Sequence, residues 1–119
     1  MRVSALALVA VAAVAEAAPP SNASREFVVE GSGGGYEVTV SSRYVTVFYL
    51  PEPVTKALAS DQRNFSITVM NDTVAVRPLR DAKDLSANLN IDTKSLHISV
   101  LLKVGVPADA TLQVIFTRA

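Results

Sequence analysis

The sequence predicts an all-β fold, an antiparallel β-sandwich of about eight strands, immunoglobulin-like or similar. Three observations carry that prediction. From Phe27 onward apolar residues recur mostly at every second position, the period of a strand and not of a helix. Clusters of Gly, Pro, Asn and Asp break the pattern at short intervals, as tight turns require. The chain has 119 residues, half of them apolar, which suffices for one domain with its own core and excludes a disordered chain.

Phe27–Glu30 is the first short strand, and the glycine-rich run Gly31–Gly35 reads as a mobile hairpin loop. Tyr36, Val38 and Val40 alternate with Glu37, Thr39 and Ser41, the pattern of a half-buried strand. Tyr44–Leu50 is apolar on both faces except for Thr46 and suits a central strand. Pro51 and Pro53 end it, because proline donates no ladder hydrogen bond. Val54–Ser60 lacks clean alternation and reads as one helical turn or a wide loop. Phe65, Ile67 and Val69 form the next inward row. Asn71-Asp72 then turns the chain into Val74 and Val76, a hairpin signal because both turn residues tolerate positive φ. Pro78 to Ser86 is a charged connection, and Leu89 and Ile91 mark a short strand. Asp92-Thr93-Lys94 is a turn into the longest alternation, Leu96, Ile98, Val100, Leu102 and Val104. Gly105–Ala110 turns the chain once more, and Leu112, Val114 and Phe116 make the last strand.

The start of the chain differs in kind. Arg2 precedes an apolar run from Val3 to Val14, and Ala15-Glu16-Ala17 supplies small residues before a cleavage point. This is the pattern of a secretory signal peptide. A run of about 12 residues is too short to span a bilayer as a helix, which takes about 20. The expected organisation is a cleaved signal at 1–17, a polar lead-in at 18–26 and a single sandwich domain at 27–119, with no transmembrane segment in the mature chain. Eleven basic residues balance eleven acidic ones, and removing Arg2 and Glu16 leaves that balance intact. A neutral chain lacks the basic excess of a nucleic-acid binder. The chain has no cysteine, which excludes disulfide scaffolds, thiolate metal sites and thiol catalysis. Secretion without cysteine favours a bacterial envelope, periplasmic or extracellular, over an animal extracellular setting.

Catalytic and metal chemistry finds little footing. His97 is the only histidine. The pleat sets it opposite Leu96 and Ile98, beside Ser99, Leu101 and Lys103, and no nucleophile-elbow motif accompanies it. It reads as a surface histidine. One histidine falls short of the usual zinc set, and Lys83 between Asp81 and Asp84 opposes a calcium loop. No Gly-Lys-Ser/Thr follows the glycine run, so it is not a phosphate cradle. The expectation is a non-enzymatic protein without a cofactor. Candidate partner contacts are Tyr44 and Phe48, which otherwise belong to the core, and Arg77 and Arg80, which can pair with a partner's carboxylates. The aromatic set that includes Tyr36 and Tyr49 also admits a carbohydrate-binding or adhesive surface module. Asn22, Asn64 and Asn71 each precede Ser or Thr by two positions, making them glycan acceptors in a eukaryotic secretory pathway only.

Four short motifs stand in a telling order: Thr46-Val47-Phe48-Tyr49-Leu50-Pro51, then Asp61, then Val74-Ala75-Val76-Arg77-Pro78-Leu79, then Ala87-Asn88-Leu89-Asn90-Ile91-Asp92-Thr93. Together they resemble the N-terminal domain of TrbG/CagX-type outer-membrane core subunits of bacterial type IV secretion and conjugation machines. The resemblance covers about 70 residues. It implies a periplasmic β-sandwich that works by assembly with protein partners of the envelope or with itself. The family's second sandwich domain has no counterpart here, so the resemblance implies an accessory or orphan version of the first.

Overall fold

The computed structural model describes residues 24–29, 32–82 and 84–119. The signal segment, most of the polar lead-in with Asn22, and Glu30, Gly31 and Lys83 lie outside the described residues. The described residues form a sandwich of nine strands. These are β1 (Ser24–Val29), β2 (Ser32–Val40), β3 (Thr46–Tyr49), β4 (Val54–Ala59), β5 (Phe65–Met70), β6 (Thr73–Pro78), β7 (Ser86–Thr93), β8 (His97–Val104) and β9 (Gln113–Arg118). One sheet has the order β1-β9-β3-β6-β5 and the other β2-β8-β7-β4. β1 begins at Ser24, earlier than the alternation alone implied.

The sheets are mixed and not purely antiparallel. β9 runs parallel to both β1 and β3, and β2 runs parallel to β8. The reason lies in the connections. Successive strands here mostly cross from one layer to the other, so strands distant in sequence become neighbours. Only β5–β6 and β7–β8 are hairpins within a sheet. Asn71 carries φ 55 at the first of these turns, the left-handed conformation that asparagine tolerates. The second turn sits at Lys94-Ser95, because Asp92 and Thr93 still belong to β7.

Two segments differ from expectation for one physical reason, a β-bulge. The described part of the glycine run, Ser32–Gly35, is not a hairpin loop but the start of β2, which pairs Gly33 with Ile98 and Tyr36 with Val100. One extra residue is accommodated there, and Gly35 takes φ 79 to do so. The bulge resets the alternation so that Tyr36, Val38 and Val40 face inward. Likewise Val54–Ala59 is a strand, not a helical turn. Val54 pairs with Thr93 and Lys56 with Asp92, leaving Thr55 as the extra residue. Its Oγ1 donates to the Asp92 carbonyl at 3.0 Å. The bulge lets Val54 and Ala57 both pack on the core although they are three apart, a spacing that imitates a helix.

The core consists of the inward rows of both sheets. Val114, Phe116, Phe48, Val74 and Val76 meet Val38, Val40, Ile98, Val100, Leu102, Leu89 and Ile91, all essentially without solvent contact. Phe116 sits in an aromatic group, with ring centroids 5.6 Å from Phe27, 5.4 Å from Tyr36 and 6.3 Å from Phe48. β3 is indeed the central strand of its sheet. It buries only one face, however: Thr46 and Phe48 point in, while Val47 is half-buried and Tyr49 exposed on the other side. Buried Thr46 donates from Oγ1 to the Thr111 carbonyl, which satisfies a hydroxyl that would otherwise cost stability.

The bulge makes a testable distinction between neighbouring glycines. Gly35→Ala forces a side chain into the left-handed region and costs about 1–2 kcal/mol. Gly34→Ala meets no atom within 4 Å and has no positive φ, so it is neutral or stabilising by up to about 1 kcal/mol. Urea unfolding of the two variants, compared at constant m-value, checks the pair.

Candidate functional site

The outer faces of the two sheets differ in chemistry. On the five-stranded sheet, pairing sets Glu26 beside Ile115, Ile115 beside Tyr49, Tyr49 beside Thr73 and Thr73 beside Met70. The next rung runs Gln113, Val47, Ala75 and Thr68. Val45 continues the β3 row at 48% exposure, with Tyr49 at 38% and Met70 at 67%. The middle of this face thus brings together Val45, Val47, Tyr49, Ala75 and Ile115. Exposed apolar side chains gathered on one sheet face, in place of single scattered ones, are the kind of feature that contact surfaces use. The charges on this face are Glu26 on the edge strand β1 and Arg77 on the interior strand β6, where the register sets it across from Val45.

The four-stranded sheet presents the opposite character. Its outer face carries Lys56, Asn88, Asn90, Asp92, His97, Ser99, Lys103 and Glu37, with Leu58 and Leu101 scattered among them. Lys103 Nζ lies 3.0 Å from Glu37 Oε2. Between β4, β7 and β8 a shallow groove of about 310 Å³ is lined by Lys56, Leu58, Asn90, Asp92, His97 and Ser99. His97 Nδ1 is 3.0 Å from Asp92 Oδ1, opposite it across the hairpin. The imidazole is well exposed, on the face that the alternation assigned to it. Among the described residues, no three His, Asp or Glu side chains stand close enough to share a metal ion.

The residues singled out from sequence go to different places. Phe48 is fully buried, stacked near Phe116, so its ring serves the core. Tyr44 is half-buried in the turn before β3, where its N–H donates to the Ser41 carbonyl at 3.1 Å. Tyr36 packs with Phe27 at 4.8 Å between centroids. Tyr49 is therefore the one tyrosine of the set on an open sheet face. Arg77 is exposed on the outer face beside Ser66, while exposed Arg80 lies past the end of β6, in the field of Asp61. Asn64 is half-buried, its side-chain amide donating to Asp61 Oδ2 at 2.8 Å. That bond, with backbone N–H donors from Asn64 and Arg63 and the Arg80 charge, holds Asp61 below the usual carboxylate range. Asn71 is exposed at the β5–β6 turn.

Sequence reasoning passed over Glu52, which the fold makes a junction. Its Oε1 accepts from the Thr93 hydroxyl, from the Ser95 N–H at 3.0 Å and from the Ser95 hydroxyl at 2.6 Å. Its Oε2 accepts from Arg118, which also donates to Ser95 Oγ at 2.7 Å. The β3–β4 loop, the β7–β8 turn and the end of β9 are thereby tied to one carboxylate. No local motif marks it, because its partners stand about 40 and 66 positions away. The Ser95 hydroxyl foremost, then the Thr93 hydroxyl, the Ser95 N–H and the Arg118 charge lower its pKa from 4.5 to about 2.

A carboxylate with a depressed folded pKa stabilises above its unfolded value and loses that contribution as pH falls through the folded one. Thermal unfolding midpoints should therefore drop as pH falls from about 4.5 toward about 2. Glu52→Gln lowers Tm at neutral pH and flattens that part of the profile, which calorimetry across the range checks. No known family model and no curated protein matches this chain.

Proposed function

We propose that this protein is a secreted, non-enzymatic module of a bacterial envelope that binds another protein through the outer face of its five-stranded sheet. The observation that carries the reading is the contrast between the two outer faces. One is polar and studded with charge; the other keeps Val45, Val47, Tyr49 and Ile115 together with few charges, Glu26 and Arg77, among them. An apolar centre with a polar rim is the usual anatomy of a protein contact. The signal-like leader and the resemblance to secretion-system core subunits support the envelope setting and a role as an accessory or orphan assembly module. The reading requires no cofactor, nucleic acid or membrane span. A sandwich fold by itself would not specify any of this. The alternative carbohydrate-binding reading keeps only Tyr49 as an exposed ring, since Phe48 is buried and Tyr36 and Tyr44 are half-buried.

Crosslinking and affinity capture from envelope extracts test the proposal by face. Tyr49→Ser weakens capture about tenfold or more, the loss expected of a central aromatic contact. Leu58→Ser, an equally exposed change on the other sheet, leaves it intact. Equal capture by both variants, or capture of glycan alone, would sink the assignment.

A further inference from the structure

We infer that two copies of this chain pair edge to edge through β5, antiparallel about a two-fold axis, joining their five-stranded sheets into one. The four edge strands are protected unequally. β2 and β4, the edges of the four-stranded sheet, each carry a bulge, and β4 also exposes Lys56. β1 carries Arg25 and Glu26. Such bulges and charges are the usual means of blunting an open edge. β5 has neither. Its six residues, Phe65-Ser66-Ile67-Thr68-Val69-Met70, hold no charge, proline or glycine, and they pair with β6 without a register shift.

The hydrogen-bonding direction is set by the neighbouring pair. The Leu79 N–H donates to the Asn64 carbonyl at 2.8 Å, so the alternation turns Ser66, Thr68 and Met70 toward β6. Phe65, Ile67 and Val69 then direct their N–H and C=O groups to the open edge. Among the described residues no backbone hydrogen bond joins β4 to β5. A groove of about 270 Å³ separates them, lined by Ala57, Leu58, Ala59, Gln62, Phe65 and Ile67. Val69 belongs to the inward row yet is 41% exposed, with β4 approaching only at the strand's end, where the Val54 N–H donates to the Asn71 carbonyl at 2.8 Å.

The ends of β5 select a second copy as the occupant. Exposed Arg63 precedes the strand and exposed Asp72 follows it, and neither forms an ion pair among the described residues. An antiparallel copy brings the Arg63 end of each strand toward the Asp72 end of the other; a parallel copy would bring like-charged ends together. With Thr68 on the axis, Ile67 lies opposite Val69 of the second copy, and both already offer outward N–H and C=O groups. The contact is isologous and closes on itself.

Sedimentation of the protein as recovered from cells, over a range of concentrations, tests this. A concentration-dependent dimer is expected. Thr68→Lys, at an exposed position, sets two ammonium groups together and weakens dimerisation about tenfold or more, with circular dichroism and the Tm of the dilute monomer unchanged. Arg63→Asp weakens it too, and adding Asp72→Arg restores it. The inference is independent of the outer-face reading, so Tyr49→Ser leaves the dimer unchanged. A monomer at every concentration would overturn it. So would a dimer that ignores both Thr68→Lys and the charge exchange, or one that fails with Tyr49→Ser instead.

Discussion

The last strand is wedged between β1 and β3 and runs parallel to both, and the remaining architecture depends on that insertion. A parallel neighbour cannot be delivered by a tight turn, so β9 must be guided in by contacts of its own. The entry is held by the Val47 N–H on the Leu112 carbonyl at 3.0 Å and by the buried Thr46 hydroxyl on Thr111. The exit is held by Arg118 on Glu52. Between them Phe116 sits at the meeting point of Phe27, Tyr36 and Phe48, linking three strands of one sheet to β2 of the other. Remove β9 and β1 loses its sheet, the aromatic group loses its centre, and Glu52 loses its cation.

How far the sequence foretold this depends on whether the controlling interaction is local. The β5–β6 hairpin was legible because its signal lies within a few residues: two alternating runs and an Asn-Asp turn, with Asn71 supplying the positive φ. The β8 row was legible because five inward positions repeat without interruption, and His97 fell on the outer face as that repeat requires. The bulged strands were not, since one extra residue at Gly35 or Thr55 shifts the phase and makes a strand resemble a loop or a helical turn. Which strands pair was also hidden. Period two says that a face is buried, not which neighbour lies beside it. Tyr44–Leu50 illustrates the limit: its apolar outer positions looked like a second buried face and turned out to be an open one.

That open face and the edge at β5 are separate features of the same sheet. A face is shaped by side chains, whereas an edge is shaped by backbone groups awaiting partners. The four-stranded sheet has both matters settled, with a polar outer surface and two bulged borders. The five-stranded sheet has neither settled. The larger share of exposed apolar side chains and the one unblunted edge thus belong to the five-stranded sheet, while the opposite layer closes the core and turns a mostly polar face outward.

The position of β9 also dictates an order of events. β1 is the first described strand to leave the ribosome, yet its only ladder partner is the last. Until Gln113–Arg118 emerge, the five-stranded sheet has a gap where its second strand belongs, and β3 lacks one of its two neighbours. Pairings so distant in sequence form slowly, because the whole intervening chain must first be brought together. Vectorial synthesis thus leaves the five-stranded sheet incomplete until β9 has emerged. In any chain that emerges from its N-terminal end first, the aromatic group around Phe116 therefore cannot close before β9 arrives.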